Sequence, residues 1–172
     1  MSPLKIIRDA DIGSDFPVPQ VYRERTSARA IVFNAGGKVA ILHATKKHFH
    51  KLPGGGVETS EDLKTALARE LQEEIGCRVK NPREFAVVEE YRNKYALHHT
   101  SHCFLSDIEG EIDATSMDED EIAVGFITVW MDLQDAIKTI EDETDNESYQ
   151  VKFIRLRELA FLQESVRILR NV

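Results

Sequence analysis

Two periods of apolar and polar positions alternate along this chain. Ala28 to Phe33 and Lys38 to Ala44 are apolar runs on either side of Asn34-Ala35-Gly36-Gly37, which is the composition of a hairpin. Glu84 to Tyr91 and Ala96 to Ser106 read as two further strands, joined through Arg92-Asn93-Lys94. Ile122 to Trp130 is rich in β-branched residues and predicts another strand. After the first hairpin and the loop Thr45 to Lys51, the period changes. Leu63, Leu67, Glu70 and Glu74 fall three or four residues apart, a helical spacing. Asp132 to Glu141 and Glu147 to Arg170 carry helical patterns as well. The order β, β, α, β, β, β, α, α lacks regular βαβ alternation. It predicts an α/β fold, a mixed β-sheet with flanking helices. Residues 1–25, which include Pro17-Val18-Pro19, read as an N-terminal extension, and residues 26–172 as a single domain.

The first helix has an unusual apolar stripe. At about 100° per residue, Glu70 and Glu74 project within ~40° of each other, in line with Leu63 and Leu67 and flanked by Glu73. Carboxylates are almost never buried unless they are paired or bind a metal. Lys64 and Arg69 are the only basic residues here, against Glu58, Glu61, Asp62, Glu70, Glu73 and Glu74. A divalent cation is the simplest compensation. Oxygen donors without thiolates select a hard ion, Mg²⁺ or Mn²⁺. Gly54-Gly55-Gly56 just upstream allows positive φ and close approach to a ligand. Thr59 and Ser60 are the expected N-caps, Glu61-Asp62 suits a first turn, and Gly76 is a stop signal.

Composition narrows the class. A chain of 172 residues with 42% hydrophobic content can bury one sizeable core. No run approaches the ~18 apolar residues of a membrane span, and the first residues lack the apolar stretch of a secretory signal. Cys77 and Cys103 are the only cysteines, which suggests a reducing, cytoplasmic setting. The net charge of −8 is uneven. Residues 111–147 hold thirteen acidic residues against Lys138 alone, a net of −12 that leaves +4 elsewhere. Such a chain is not expected to bind nucleic acid.

The spacing Gly55, five residues, Glu61, seven residues, Arg69-Glu70-Leu71, one residue, Glu73-Glu74, one residue, Gly76-Cys77 resembles the Nudix box of the Nudix hydrolases. Only Cys77 departs from it, where the family prefers a larger aliphatic residue. The resemblance implies a Nudix-type α/β/α sandwich and a metal-dependent pyrophosphohydrolase. Its substrate would be a nucleoside diphosphate linked to another moiety X: a nucleoside triphosphate, a dinucleoside polyphosphate or a nucleotide sugar. It also implies metal ligation by Glu70 and Glu74, by Glu73 as further ligand or as base for water, and by the Gly54 carbonyl. A late-loop carboxylate completes that set, with Glu121 the candidate and Glu119 the reserve. Arg69 is expected to orient Glu73 at i, i+4, and Glu61 to be structural. Arg29, Lys47, Lys51 and Gly55 are candidates for holding phosphate, and Tyr91, Arg92 and Tyr95 for stacking on a base. A catalytically silent ligand-binding module of the same fold is the alternative. A third class is the isomerase chemistry of a Nudix-related family that relies on a cysteine, for which Cys103 looks too apolar in setting. Zinc at His98, His99, His102 and Cys103 is rejected, because His98 and His102 on a strand lie ~13 Å apart and His99 faces the other way. They read instead as strand-surface residues or substrate contacts, with His102 and Cys103 buried. The apolar C-terminal helix around Phe161, Leu162, Val166 and Leu169 suits a homodimer interface as well as a core.

Overall fold

The computed structural model describes residues 1–170; residues 171 and 172, the end of the expected domain, lie outside the described residues. Eight strands form one mixed sheet: β1 (Lys5–Arg8), β2 (Arg23–Phe33), β3 (Val39–Ala44), β4 (Phe49–Lys51), β5 (Gly54–Gly56), β6 (Arg78–Arg92), β7 (Leu97–Glu109) and β8 (Phe126–Met131). The main path runs β1-β6-β7-β2-β3-β4, with β5 paired to β2 and β8 to β3. β1 is parallel to β6 and β2 to β7, while β6 and β7 pair antiparallel. The helices are α1 (Leu63–Ile75), α2 (Glu119–Val124), α3 (Leu133–Glu141) and α4 (Tyr149–Leu169).

Strand alternation divides the core into two layers. Ala28, Ala30 and Val32 of β2 pack with Leu67, Leu71 and Ile75 of α1. Ile31 faces the other way, into a cluster with Val88, Cys103, Ile140 of α3 and Phe153 and Phe161 of α4. The result is the expected α/β/α sandwich. The segment read as an N-terminal extension contributes β1 to the sheet edge, and the Tyr149 hydroxyl donates to Asp9 Oδ1 at 2.7 Å, joining that segment to α4.

Three local expectations are corrected. The N-cap of α1 is Asp62, not Thr59 or Ser60; its side chain accepts from the Thr65 N–H at 2.8 Å. Thr59 and Ser60 sit instead in the turn that brings Glu61 toward Arg69. Ile122 to Trp130 is not one strand. Asp118 and Glu121 form a reciprocal capping box, three acidic residues occupy the first turn, and Gly125 (φ 76°) ends the helix, so α2 holds Ile122 and the strand begins at Phe126. Capping and macrodipole complementarity outweigh β-branching over this short span. Finally, the loop Thr45 to Lys51 contains β4, which pairs with β3.

Candidate functional site

β5, α1 and α2 meet at one cleft. Gly54 has φ 122°, and a Cβ there would lie 2.2 Å from the Ala28 carbonyl oxygen, so β5 can lie this close to β2 only with glycine. A Cβ on Gly55 would lie 2.4 Å from the Glu70 carboxylate carbon. The glycine loop thus leaves the room that a buried carboxylate occupies.

The Glu70 and Glu74 side chains are buried. Together with half-buried Glu121, each places a carboxylate oxygen within 4.8 Å of the others. Burial pushes the Glu70 carboxyl up, and the neighbouring Glu74 charge adds to it, against the pull of Arg69. Burial also raises Glu74, opposed by Lys51 and the Gly54 N–H. The Lys51 ammonium stands 2.7 Å from Glu74 Oε1. Three clustered carboxylates with one direct cation each for Glu70 and Glu74 make a strained arrangement, and their oxygen donors fit a hard divalent ion.

Arg69 organises the rest. Its Nε and Nη2 clamp both oxygens of Glu61 at 2.7 and 2.9 Å, and Nη2 also donates to the Gly56 carbonyl at 3.0 Å. Nη1 donates to Glu70 at 2.9 Å and to Glu73 at 3.3 Å. The hydrogen bond from Arg69 holds the Glu61 carboxyl down at about 2. The bidentate geometry makes Glu61, rather than Glu73, the principal partner of Arg69. Glu73 keeps a more exposed carboxylate on the cleft, which Arg25, Arg29, Lys51 and Glu121 also line.

The other expected contacts divide. Arg29 reaches the site from β2, donating through Nη1 to the carbonyls of Leu52 and Gly54 at 3.2 and 3.0 Å. Lys47 does not; it is exposed in the β3–β4 turn, where its carbonyl accepts from Asn146. Tyr91 faces away, stacked on His98 at 4.3 Å beside Tyr22, and Tyr95 packs edge-on against Tyr149. Strand parity explains Tyr91: Glu90 and Arg92, its neighbours, are the inward positions. Glu119 is exposed. His102 is only partly buried and bonds Glu84, whereas Cys103 is fully buried and burial raises its thiol.

One network was not foreseen, and it overturns the reading of His99 as a strand-surface residue, since His99 is buried within it. Behind the cleft, Glu90 receives Arg92 at 3.0 Å, His99 Nδ1 at 2.8 Å and Arg157 at 3.2 Å, and Arg157 also bonds Glu158. All five are buried. Burial opposes ionisation of Glu90, yet Arg157, His99 and Arg92 together hold its carboxyl well below the usual range. Burial lowers His99 to about 4; its Nδ1 stands 2.8 Å from Glu90, and its Nε2 shares a hydrogen bond with the Ser27 hydroxyl at 3.0 Å. A signal existed in the sequence. Arg157 and Glu158 interrupt the apolar stripe of α4 (Ile154, Phe161, Leu162) as Glu70 and Glu74 interrupt that of α1.

Comparison with known proteins places these features in context. The family model described as the NUDIX domain matches residues 23–156. Two curated mouse proteins, diphosphoinositol polyphosphate phosphohydrolases 3-alpha and 3-beta, are each 29% identical over 90 residues, 52% of this chain. The chain spans about half the length of these relatives, 51% of each. Among solved structures, a NUDIX hydrolase from Nitrosomonas europaea superposes with a TM-score of 0.58 at 12% identity, over 79% of this chain and 88% of that one. The MutT mutator protein of Bacillus halodurans gives 0.54 at 21% identity, over 67% and 72%. At such identities the structures establish the fold.

Proposed function

The chain belongs to the NUDIX family, and from that premise we propose that it is a metal-dependent pyrophosphohydrolase acting on a nucleoside diphosphate linked to a second moiety X. The observation that carries this reading is the convergence of Glu70, Glu74 and Glu121 beside Gly54 and Gly55, where a side chain would collide with β2 or with Glu70. The diphosphate hydrolysis named in the mouse relatives supports the same bond class.

Glu70, Glu74 and Glu121, with the Gly54 carbonyl, would hold the cation. Mg²⁺ or Mn²⁺ there would neutralise charge on the phosphoryl oxygens and lower the pKa of the attacking water. Lys51 holds the diphosphate against β5. Glu73 accepts the proton as water oxygen bonds to phosphorus and the bridging P–O bond breaks. The products are a nucleotide and a phosphorylated X. Arg69, anchored by Glu61, keeps Glu73 and Glu70 in place. The unpaired, buried Cys77 and Cys103 fit a reducing cytoplasmic setting. Among the described residues no helix is long and apolar enough to cross a membrane.

The test is a panel of nucleoside triphosphates, dinucleoside polyphosphates, NADH and nucleotide sugars assayed with Mg²⁺ and Mn²⁺. Turnover should require the metal, stop with EDTA, and fall by about 10³-fold in Glu73→Gln, ~4 kcal/mol of barrier. Ligand binding without turnover anywhere in the panel would leave the silent-module alternative standing.

A further inference from the structure

The cleft continues past the acidic cluster into a second cavity of about 320 Å³ between the sheet and α4, large enough for a ligand fragment. Arg25, Arg29, Lys51 and Glu121 line both spaces; Arg92, His99 and Arg157 line the second alone. Its charge is unbalanced. Three buried guanidiniums, Arg29, Arg92 and Arg157, face two buried carboxylates, Glu90 and Glu158, while Asp120 and Glu121 of α2 stand at the rim beside Arg25 and Lys51. Arg157 and Arg92 contact those carboxylates, with Glu158 Oε2 left without a hydrogen-bond partner. Arg29 is 6% exposed and touches only carbonyls; among the described residues it pairs with no carboxylate. The Nε atoms of both Arg29 and Arg92 are buried without a hydrogen-bond partner. Arg25 adds an exposed cation, unpaired among the described residues, at the mouth.

A buried guanidinium without a counter-ion is costly, and a half-satisfied donor set is more costly still. The remedy is an anion supplied by the ligand. A neutral sugar or base would leave both Nε donors and the surplus charge unmet. Phosphoryl oxygens match the planar donor forks of Arg29 and Arg92.

We infer that this second cavity is a phosphomonoester subsite: one of the two moieties joined by the scissile diphosphate carries a further phosphate, received by Arg29 and Arg92 and steered inward by Arg25. The inference rests on the pyrophosphohydrolase reading for its substrate but not for its anion site. Bidentate recognition by arginine also discriminates strongly against analogues lacking the phosphate, because the site is then left unpaired.

Two measurements test it. Metal-free protein in EDTA is titrated calorimetrically with inorganic phosphate, comparing wild type with Arg92→Gln and with Arg25→Gln, whose exposed position leaves the fold intact. Both variants should weaken phosphate at least several-fold, Arg92→Gln by tenfold or more. Separately, kcat/KM with Mg²⁺ is compared for matched pairs differing by one phosphomonoester, NADPH against NADH and coenzyme A against dephospho-coenzyme A, together with a diphosphoinositol polyphosphate. A phosphomonoester-bearing substrate should be preferred at least tenfold over those lacking one, and Arg92→Gln should collapse that ratio. Phosphate affinity identical in all three proteins, or preference for the members lacking the extra phosphate, overturns the subsite. Phosphate binding that depends on Arg92 without turnover of any diphosphate would instead overturn the hydrolase reading and leave the subsite in place.

Discussion

Two groups of buried charge, one in the cleft and one behind it, obey opposite rules. Around Glu70, Glu74 and Glu121, like charges are gathered with too few cations, and burial raises both buried carboxyls. Around Glu90 and Arg157, opposite charges interlock, and the Glu90 carboxyl is held low although it is as buried as Glu74. Fold stability favours the second arrangement and opposes the first. An arrangement that works against stability persists where a ligand completes it. The contrast therefore separates groups that wait for an ion from groups that hold α4 to the sheet.

The contrast can be broken most severely at Arg157. Arg157→Met strands Glu90 and Glu158 in the core, and removing one partner of a buried ion network costs roughly 3–5 kcal/mol. Urea unfolding should show that loss as a lower midpoint. Glu70→Gln should do the reverse in metal-free protein: the melting temperature stays level or rises, since one like charge has gone. The same variant should lose about 10²–10³-fold in kcat, ~3–4 kcal/mol. A Glu70→Gln protein destabilised as much as Arg157→Met would erase the distinction between the two regions.

Acid gives the smallest and most selective probe. His99 lies at about 4 in the folded chain, against an ordinary 6.5, because of burial, with the charges of Arg157 and Arg29 adding to it and Glu90 opposing. Between those values the unfolded chain binds a proton that the folded chain does not. Stability from this group is complete above pH 6.5 and falls as pH drops toward 4, by up to ~3 kcal/mol at 1.36 kcal/mol per unit. Glu90, also held below its ordinary range, adds loss in the same direction below about pH 4.5. Thermal melts from pH 7.5 to 4 should show this slope in wild type and lose the upper part of it in His99→Gln.

The paired strands, the box helix and the two C-terminal helices were legible because periodicity and turn residues agreed there. Gly76 ends α1 in the left-handed conformation its position in the sequence suggests. Ile122 to Trp130 was misread because residue-by-residue β-propensity ignored the cap at Asp118 and the stop at Gly125. Within the site, Glu70 and Glu74 stood out as charges on an apolar stripe. Arg157 and Glu158 gave the same signal on a longer helix, where more apolar residues diluted it. Lys47, Tyr91 and Tyr95 were chosen for chemical type and closeness in sequence. A turn and the facing of one strand carry them elsewhere. Arg25, Arg92 and His99 come together only when β7 pairs with β2 on one side and β6 on the other, which sets distant segments side by side.

The capping box of α2 has a consequence for spectroscopy. Glu121 Oε2 accepts from the Asp118 N–H at 2.9 Å, so the carboxylate that joins the acidic cluster also closes the cap of α2. The Asp118 amide is therefore a resident reporter. Its ¹⁵N–¹H resonance should move, and its hydrogen exchange change, as Mg²⁺ is titrated in, following the site one amide at a time without any substrate.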